Sequence, residues 1–397
     1  MTNRRSANCL STCALATALA LLAASTASAG WDEGVAAFRA GNYAQAIAEF
    51  QQFVEERTDE EAQVVGYQML AQSLLRGGKA KESVAAFQKH LELKPGDVGS
   101  QIGLGQAYYQ SGNPRDCVTT LNRLNVGSLP EPHQIQVYQM RSASQATLGN
   151  TRAAAGDLGK VADLKGDAKS RFEYGRMLHN DAQLDAAIGA YERAVSMDGN
   201  QAEWKQALVN ALKVKGRGTQ GSAKVGVYRK AENVARGLVA GSPSYDNLLL
   251  LGEVQLGAKN YDAVVSTVQQ AISKKANDWY AHYYLGQGLG SLERYNEAEG
   301  PLNTALPLAP GETERKQIQD YLGFVLSKQN KYDLAISAYE SAGNSAGAAR
   351  VRENKQIAQE NLEADEHNKN IEELERTREE LRRQLEELPG GTEPPRR

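Results

Sequence analysis

Apolar and small residues recur along this chain at helical spacing, in paired stretches. Between Trp279 and Pro310, Leu285, Gly286 and Leu289 fall on one face of a first helix. Tyr295 opens a second helix, with Ala298, Leu302 and Ala305 on one face of it. Gly286 and Ala298 are small where two helix backbones cross closely. Pro310 cannot extend the second helix, because it lacks an amide donor and its ring clashes with the preceding turn. A pair of this size buries only one side of itself, so it requires neighbours of the same kind.

Those neighbours are present. Leu251-Gly252, Tyr261, Val264, Val268 and Ala271 precede the pair; Leu322-Gly323, Tyr332, Ala335, Tyr339 and Ala342 follow it. Earlier copies carry Tyr43, Ala46 and Phe50, then Gly78, Ser83 and Phe87, then Leu104-Gly105, Gly112, Cys117 and Leu121. A degenerate copy runs from about His133 to Leu164, and Tyr174-Gly175, Ala187 and Tyr191 restore the pattern. Gly78 to Gly112 and Tyr261 to Tyr295 are both steps of 34 residues. In a sixth copy, Lys215 to Lys224 reads as a turn longer than usual, a turn insertion between a first helix with Trp204, Leu208 and Ala211 and a second with Tyr228 and Ala231. Pro301, inside a second helix, predicts a kink or a late start.

The Leu-Gly, Tyr, Ala, aromatic and Pro pattern at this period resembles the tetratricopeptide repeat (TPR) family. The resemblance covers about residues 31 to 343. It implies an all-α fold, a right-handed TPR-like solenoid of about nine helical pairs, used as a binding scaffold and rarely for catalysis. It also implies that ligands touch first-helix positions two before and two or five after the repeat leucine. Carried onto this chain, these positions include Gln72, Leu75, Gln106, Tyr109, Phe172, Arg176, His179, Lys205, Tyr283, Gln287 and Phe324. Such amides and aromatics suit an extended peptide or helix in a concave groove, or else they pad the next repeat. Phe172 and Arg176 stand at two of the places where chaperone-binding members carry Lys and Asn, so that activity is not carried over.

After Gly343 the pattern changes. Residues 345 to 388 lack Pro and are rich in Ala, Glu, Arg, Lys and Leu, which predicts one long helix that caps the array and then leaves it. Ile371, Leu374, Arg378, Leu381, Leu385 and Leu388 follow a 3-4 spacing. This seam is compatible with a coiled coil that makes a homo-oligomer through 357–388, and with a lone charged helix. Pro389 stops the helix and predicts a disordered tail, 389–397.

The first residues read as an export signal: Arg4 and Arg5, an apolar run from Ala14 to Ala24, and Ala27-Ser28-Ala29 for cleavage. The expected location is the bacterial periplasm, or alternatively outside the cell. No later segment has the length and apolarity of a membrane span. Cys117 alone would remain after cleavage, and its place in a second helix reads as a small buried hydrophobe.

Composition is ordinary for a soluble protein, 41% hydrophobic and 23% charged, with a formal net charge of −3. This mildly acidic balance speaks against nucleic acid as the main partner. From Trp204 to Ala231, however, there are seven cations and no acid. Lys213, Lys215, Arg217, Lys224, Arg229 and Lys230 form a candidate patch for an anionic polysaccharide or cell-wall polymer, or else a solvated stretch. Gly216, Gly218 and Gly221 match the dinucleotide spacing, but a helix and not a strand precedes them. The five histidines make no ligand spacing, and no nucleophile elbow is present, so no cofactor, metal or catalytic residue is expected.

Overall fold

The structure, a computed structural model, describes residues 30–387. The expected signal peptide, Leu388 and the tail 389–397 lie outside the described residues. Among these residues every regular element is helical. The chain divides into one compact unit that ends at Trp204 and another that begins at Lys205.

The first unit holds five consecutive helical pairs: α1 (Trp31–Ala40) with α2 (Tyr43–Glu56), α3 (Glu60–Arg76) with α4 (Ala80–Leu93), α5 (Val98–Gln110) with α6 (Pro114–Leu121), α7 (Glu131–Thr147) with α8 (Thr151–Lys165), and α9 (Ala168–Asn180) with α10 (Leu184–Met197). Side chains cap several starts: Asp59 accepts from the Ala62 amide at 2.8 Å and Asp167 from the Ser170 amide at 2.8 Å. The first four pairs turn on Gly41, Gly78, Gly112 and Gly149, all in the left-handed region.

Three of these five pairs close through a glycine on the first helix and a large residue sixteen positions on. A Cβ at Gly34 would meet Phe50, one at Gly105 would meet Leu121, and one at Gly175 would meet Tyr191. Trp31, Phe50 and Phe53 form an aromatic cluster at the start of the core. A polar pin sits inside the fourth pair, between α7 and α8. Arg141 Nε and Nη2 donate to both oxygens of buried Asp157 at 2.7 and 2.6 Å.

In the second unit, α11 (Ala202–Gly218) reaches back across the boundary, and α12 (Gly221–Gly241) pairs with it. α13 (Tyr245–Gly257) then pairs with α14 (Tyr261–Lys274), α15 (Trp279–Ser291) with α16 (Tyr295–Leu308), and α17 (Glu312–Lys328) with α18 (Tyr332–Ala342). The sixteen-residue rule recurs at Gly252 and Val268, Gly286 and Leu302, and Gly323 and Tyr339. In these three pairs the turns are made by Lys259, Glu293 and Asn330 in the left-handed conformation without glycine, while Gly221 holds it at the α11–α12 junction.

Two expectations are corrected. No turn insertion spans Lys215 to Lys224: α11 continues to Gly218 and α12 starts at Gly221, so the sixth pair has longer helices instead. Gly216 serves packing, because a Cβ there would lie 2.6 Å from the Tyr228 ring, and one at Gly257 would lie 2.4 Å from the same ring. The ring of Tyr228 thus needs bare backbone on both sides. Pro301 does not delay the helix, since α16 starts at Tyr295 and runs through Pro301 and Pro307. The missing amide is tolerated on a helix anchored by Ala298, Leu302 and Ala305, all fully buried.

The last helix, α19 (Ser345–Glu386), is 42 residues long. Asn344 caps it, and Gly347, Ala348 and Val351 are its buried residues, with Gly347 against the Tyr339 ring. Lys355 pairs with Asp333 at 2.6 Å. From Gln359 onward every described residue is exposed.

Candidate binding surfaces

First helices carry the expected contact residues, but the structure sorts them into two kinds. In the first unit Gln72 and Leu75 on α3 are half-buried, Gln106 on α5 accepts from Gln136 Nε2 at 3.2 Å, and Tyr109 is 45% exposed. Arg176 is exposed and pairs with Glu173 at 3.3 Å; His179 sits half-buried with its ring edge toward Tyr191. Phe172 is different. It is buried and stacked on Trp204 with ring centroids 5.3 Å apart, so it pads the adjacent helix.

In the second unit Tyr283 is also buried, and burial pushes its phenol up to about 12. Tyr321 meets it edge-on, and the Tyr321 hydroxyl donates to the Gln287 carbonyl at 3.2 Å. Phe324 is half-buried between Tyr295 and Tyr321, with the Lys328 amine 5.8 Å from its ring centre. Lys205 donates to the Gly237 carbonyl at 3.2 Å and thereby ties α11 to α12. Phe172, Tyr283 and Lys205 are therefore packing residues. Leucine-relative spacing cannot tell these from surface residues, because both sit on the same helical flank.

The basic stretch is not a uniform cationic patch. Glu253, from α13, reaches back to α11 and takes Lys213 at 2.5 Å and Arg217 at 2.9 Å. Its carboxylate is 16% exposed and Lys213 14%, so that pair is largely desolvated, while Arg217 stays 63% exposed. Lys224, Arg229 and Lys230 are exposed on α12, while Lys215 is half-buried. Glu253 was outside the sequence reading because it lies 36 residues from Arg217 in the chain.

Two further features had no simple sequence signal. Short α6 ends at Leu121, and beside it opens a cleft of about 510 Å³ lined by Gln88, Glu92, Leu104, Tyr108, Thr119 and Arg123. His90 on α4, 1% exposed, places Nδ1 2.8 Å from the Val64 carbonyl and Nε2 2.8 Å from Asp97. Asp97 also caps α5. Burial alone would raise its pKa, but hydrogen bonds from His90 and Ser100 and the charge of His90 outweigh that and hold it at about 2. Cys117 is buried, which raises its thiol, and matches the expectation of an inert small hydrophobe. Among the described residues no group of three or more His, Cys, Asp or Glu could hold a metal ion, and no helix is long and apolar enough to cross a membrane.

These helical pairs define a class. The family description "Tetratricopeptide repeat" matches residues 69–116, which take in the C-terminal half of α3, all of α4 and α5, and the start of α6. Among the described residues the protein is an all-α array of tetratricopeptide-like helical pairs. The DnaJ homolog subfamily C member 3 of Gallus gallus is 21% identical over 267 residues, 62% of this chain. The match covers 51% of that relative's length. Among solved structures, YrrB, described as a TPR protein with an unusual peptide-binding site, superposes with a TM-score of 0.40 at 18% identity, over 50% of this chain and 99% of its own. The C-terminal part of a TPR repeat-containing protein from Cytophaga hutchinsonii gives 0.43 at 14% identity, over 61% and 93%. MamA gives 0.38 at 18% identity, over 46% and 94%.

Proposed function

We propose that this protein is a non-enzymatic adaptor that holds a protein partner, as an extended peptide or a helix, on the first helices of its repeats. The observation that carries the reading is Tyr109. Its large aromatic ring is left 45% exposed on α5, within the matched repeat and one turn from Gln106, with Gln72 and Leu75 on the preceding first helix. An aromatic flanked by amides offers apolar area and hydrogen bonds at low conformational cost. The proposed setting is the bacterial periplasm or envelope after cleavage at Ala29, in service of secretion, pilus, cell-wall or polysaccharide machinery. That setting rests on Arg4, Arg5, the apolar run and the Ala27-Ser28-Ala29 site. Direct polysaccharide binding is the weaker reading, since Glu253 already engages two of its six cations.

A photo-crosslinking residue at position 109, 106 or 287 tests the adaptor role in cells. One discrete adduct with a single envelope protein is expected, and its loss in Tyr109→Ala chains crosslinked from position 106 places the contact. Folded protein that yields no protein adduct from any of the three positions overturns the proposal. Cell fractionation together with the N-terminal sequence of the mature chain tests export independently.

A further inference from the structure

The exposed part of α19 carries a strip that nothing in the described chain covers. Ile371, Leu374, Leu381 and Leu385 are 42%, 69%, 54% and 65% exposed and alternate at steps of three and four along one face. Four large aliphatic side chains aligned on a solvated helix are costly to leave in water. Arg378 interrupts them at the middle of the strip. An interrupting charge in such a seam selects how two helices pair.

The geometry points to a second copy of this chain as the occupant, in an antiparallel two-helix coil over 371–387. In a parallel, in-register pair each core layer faces its own duplicate, so Arg378 would meet the partner's Arg378 inside the seam. The flanking positions would then set Asn370 against the partner's Glu375 and Thr377 against the partner's Arg382, with no opposite charges. The antiparallel alignment removes the conflict. Leu374 meets the partner's Leu385, and Arg378 lays its aliphatic stem over the partner's Leu381 with its guanidinium toward water. Glu375 then flanks the partner's Arg382, and the two-fold axis repeats that pair on the other side. Arg382 now bonds Glu386 in its own helix at 3.2 Å with both side chains largely in solvent, a contact readily exchanged. Asn361, Asn368 and the acidic and basic residues outside the strip stay solvated, which limits the coil to its last turns. This pairing is independent of the adaptor role, and it joins two arrays through their projecting helices.

Light scattering on the full chain should give the mass of two chains. Leu374→Glu with Leu381→Glu should give the mass of one, with an unchanged thermal melt because both residues are exposed. Cysteine pairing reads the orientation in chains carrying Cys9→Ser and Cys13→Ser. Leu374→Cys chains mixed with differently tagged Leu385→Cys chains should oxidise to mixed dimers, and neither should crosslink to itself. A monomeric wild-type chain, a dimer that survives the two glutamates, or self-crosslinking of Leu374→Cys would each overturn the proposal.

Discussion

A Cβ on Gly286 would fall 2.6 Å from Leu302 Cγ and 2.7 Å from its Cδ2, well inside contact distance. Leu302 is fully buried, so it has nowhere to retreat. Gly286→Ala should therefore destabilise the second unit by about 1–3 kcal/mol, the usual cost of overpacking a tight core. Gly226→Ala, on α12 with nothing within 4 Å of its Cβ, should be neutral or stabilising by up to ~1 kcal/mol. Urea unfolding of the two variants checks the contrast; equal midpoints would show that the crossing is not tight.

The pairing of His90 with Asp97 predicts an acid limb to stability. Asp97 is lowered from 3.8 unfolded to about 2 folded, so its contribution is complete above about pH 4 and is lost as pH falls through 2. Asp97→Asn should flatten that part of the profile. Asp97→Ala should cost about 2–3 kcal/mol at pH 7, since it strips the cap of α5 and orphans buried His90. Thermal unfolding of wild type and Asp97→Asn between pH 5 and 2 makes the measurement, with the two curves converging toward low pH.

Glu253 decides how basic the α11–α12 stretch is. Glu253→Gln should destabilise by roughly 1–3 kcal/mol, because Lys213, only 14% exposed, loses its counter-charge. The same change should raise salt-sensitive retention on an anionic polysaccharide column, as Arg217 is then released. Retention unchanged by Glu253→Gln, and unchanged again by Lys224→Gln with Arg229→Gln, would remove the stretch as an anion site.

Phe172 and Tyr109 came from the same positional rule but should behave oppositely. Phe172→Ala should cost about 3–5 kcal/mol, because it empties a ring from between Tyr191 and Trp204. Tyr109→Ala should stay within about 0.5 kcal/mol of wild type and act on partner binding alone. Chemical denaturation of both, read beside crosslinking yield, separates packing from recognition.

Repetition made the fold legible. Gly286 with Leu302, Gly252 with Val268 and Gly323 with Tyr339 are one relationship written three times, and a helix period read from one copy is checked by the next. Where a local feature stood alone, the reading was weaker. The glycines after Lys215 suggested a loop, yet Gly216 is helical and shaped to the Tyr228 ring, a contact twelve residues away.

By itself the amino-acid sequence determined the all-α class, the succession of nine pairs among the described residues and the long last helix, because these depend on local period, small crossing residues and turn chemistry. Only the tertiary structure decided which aromatics are surface and which are filling, which cations are compensated, and that His90 is locked between Val64 and Asp97. Those outcomes depend on what one element lays against another, and partners such as Val64 with His90 or Arg217 with Glu253 lie tens of residues apart in the chain.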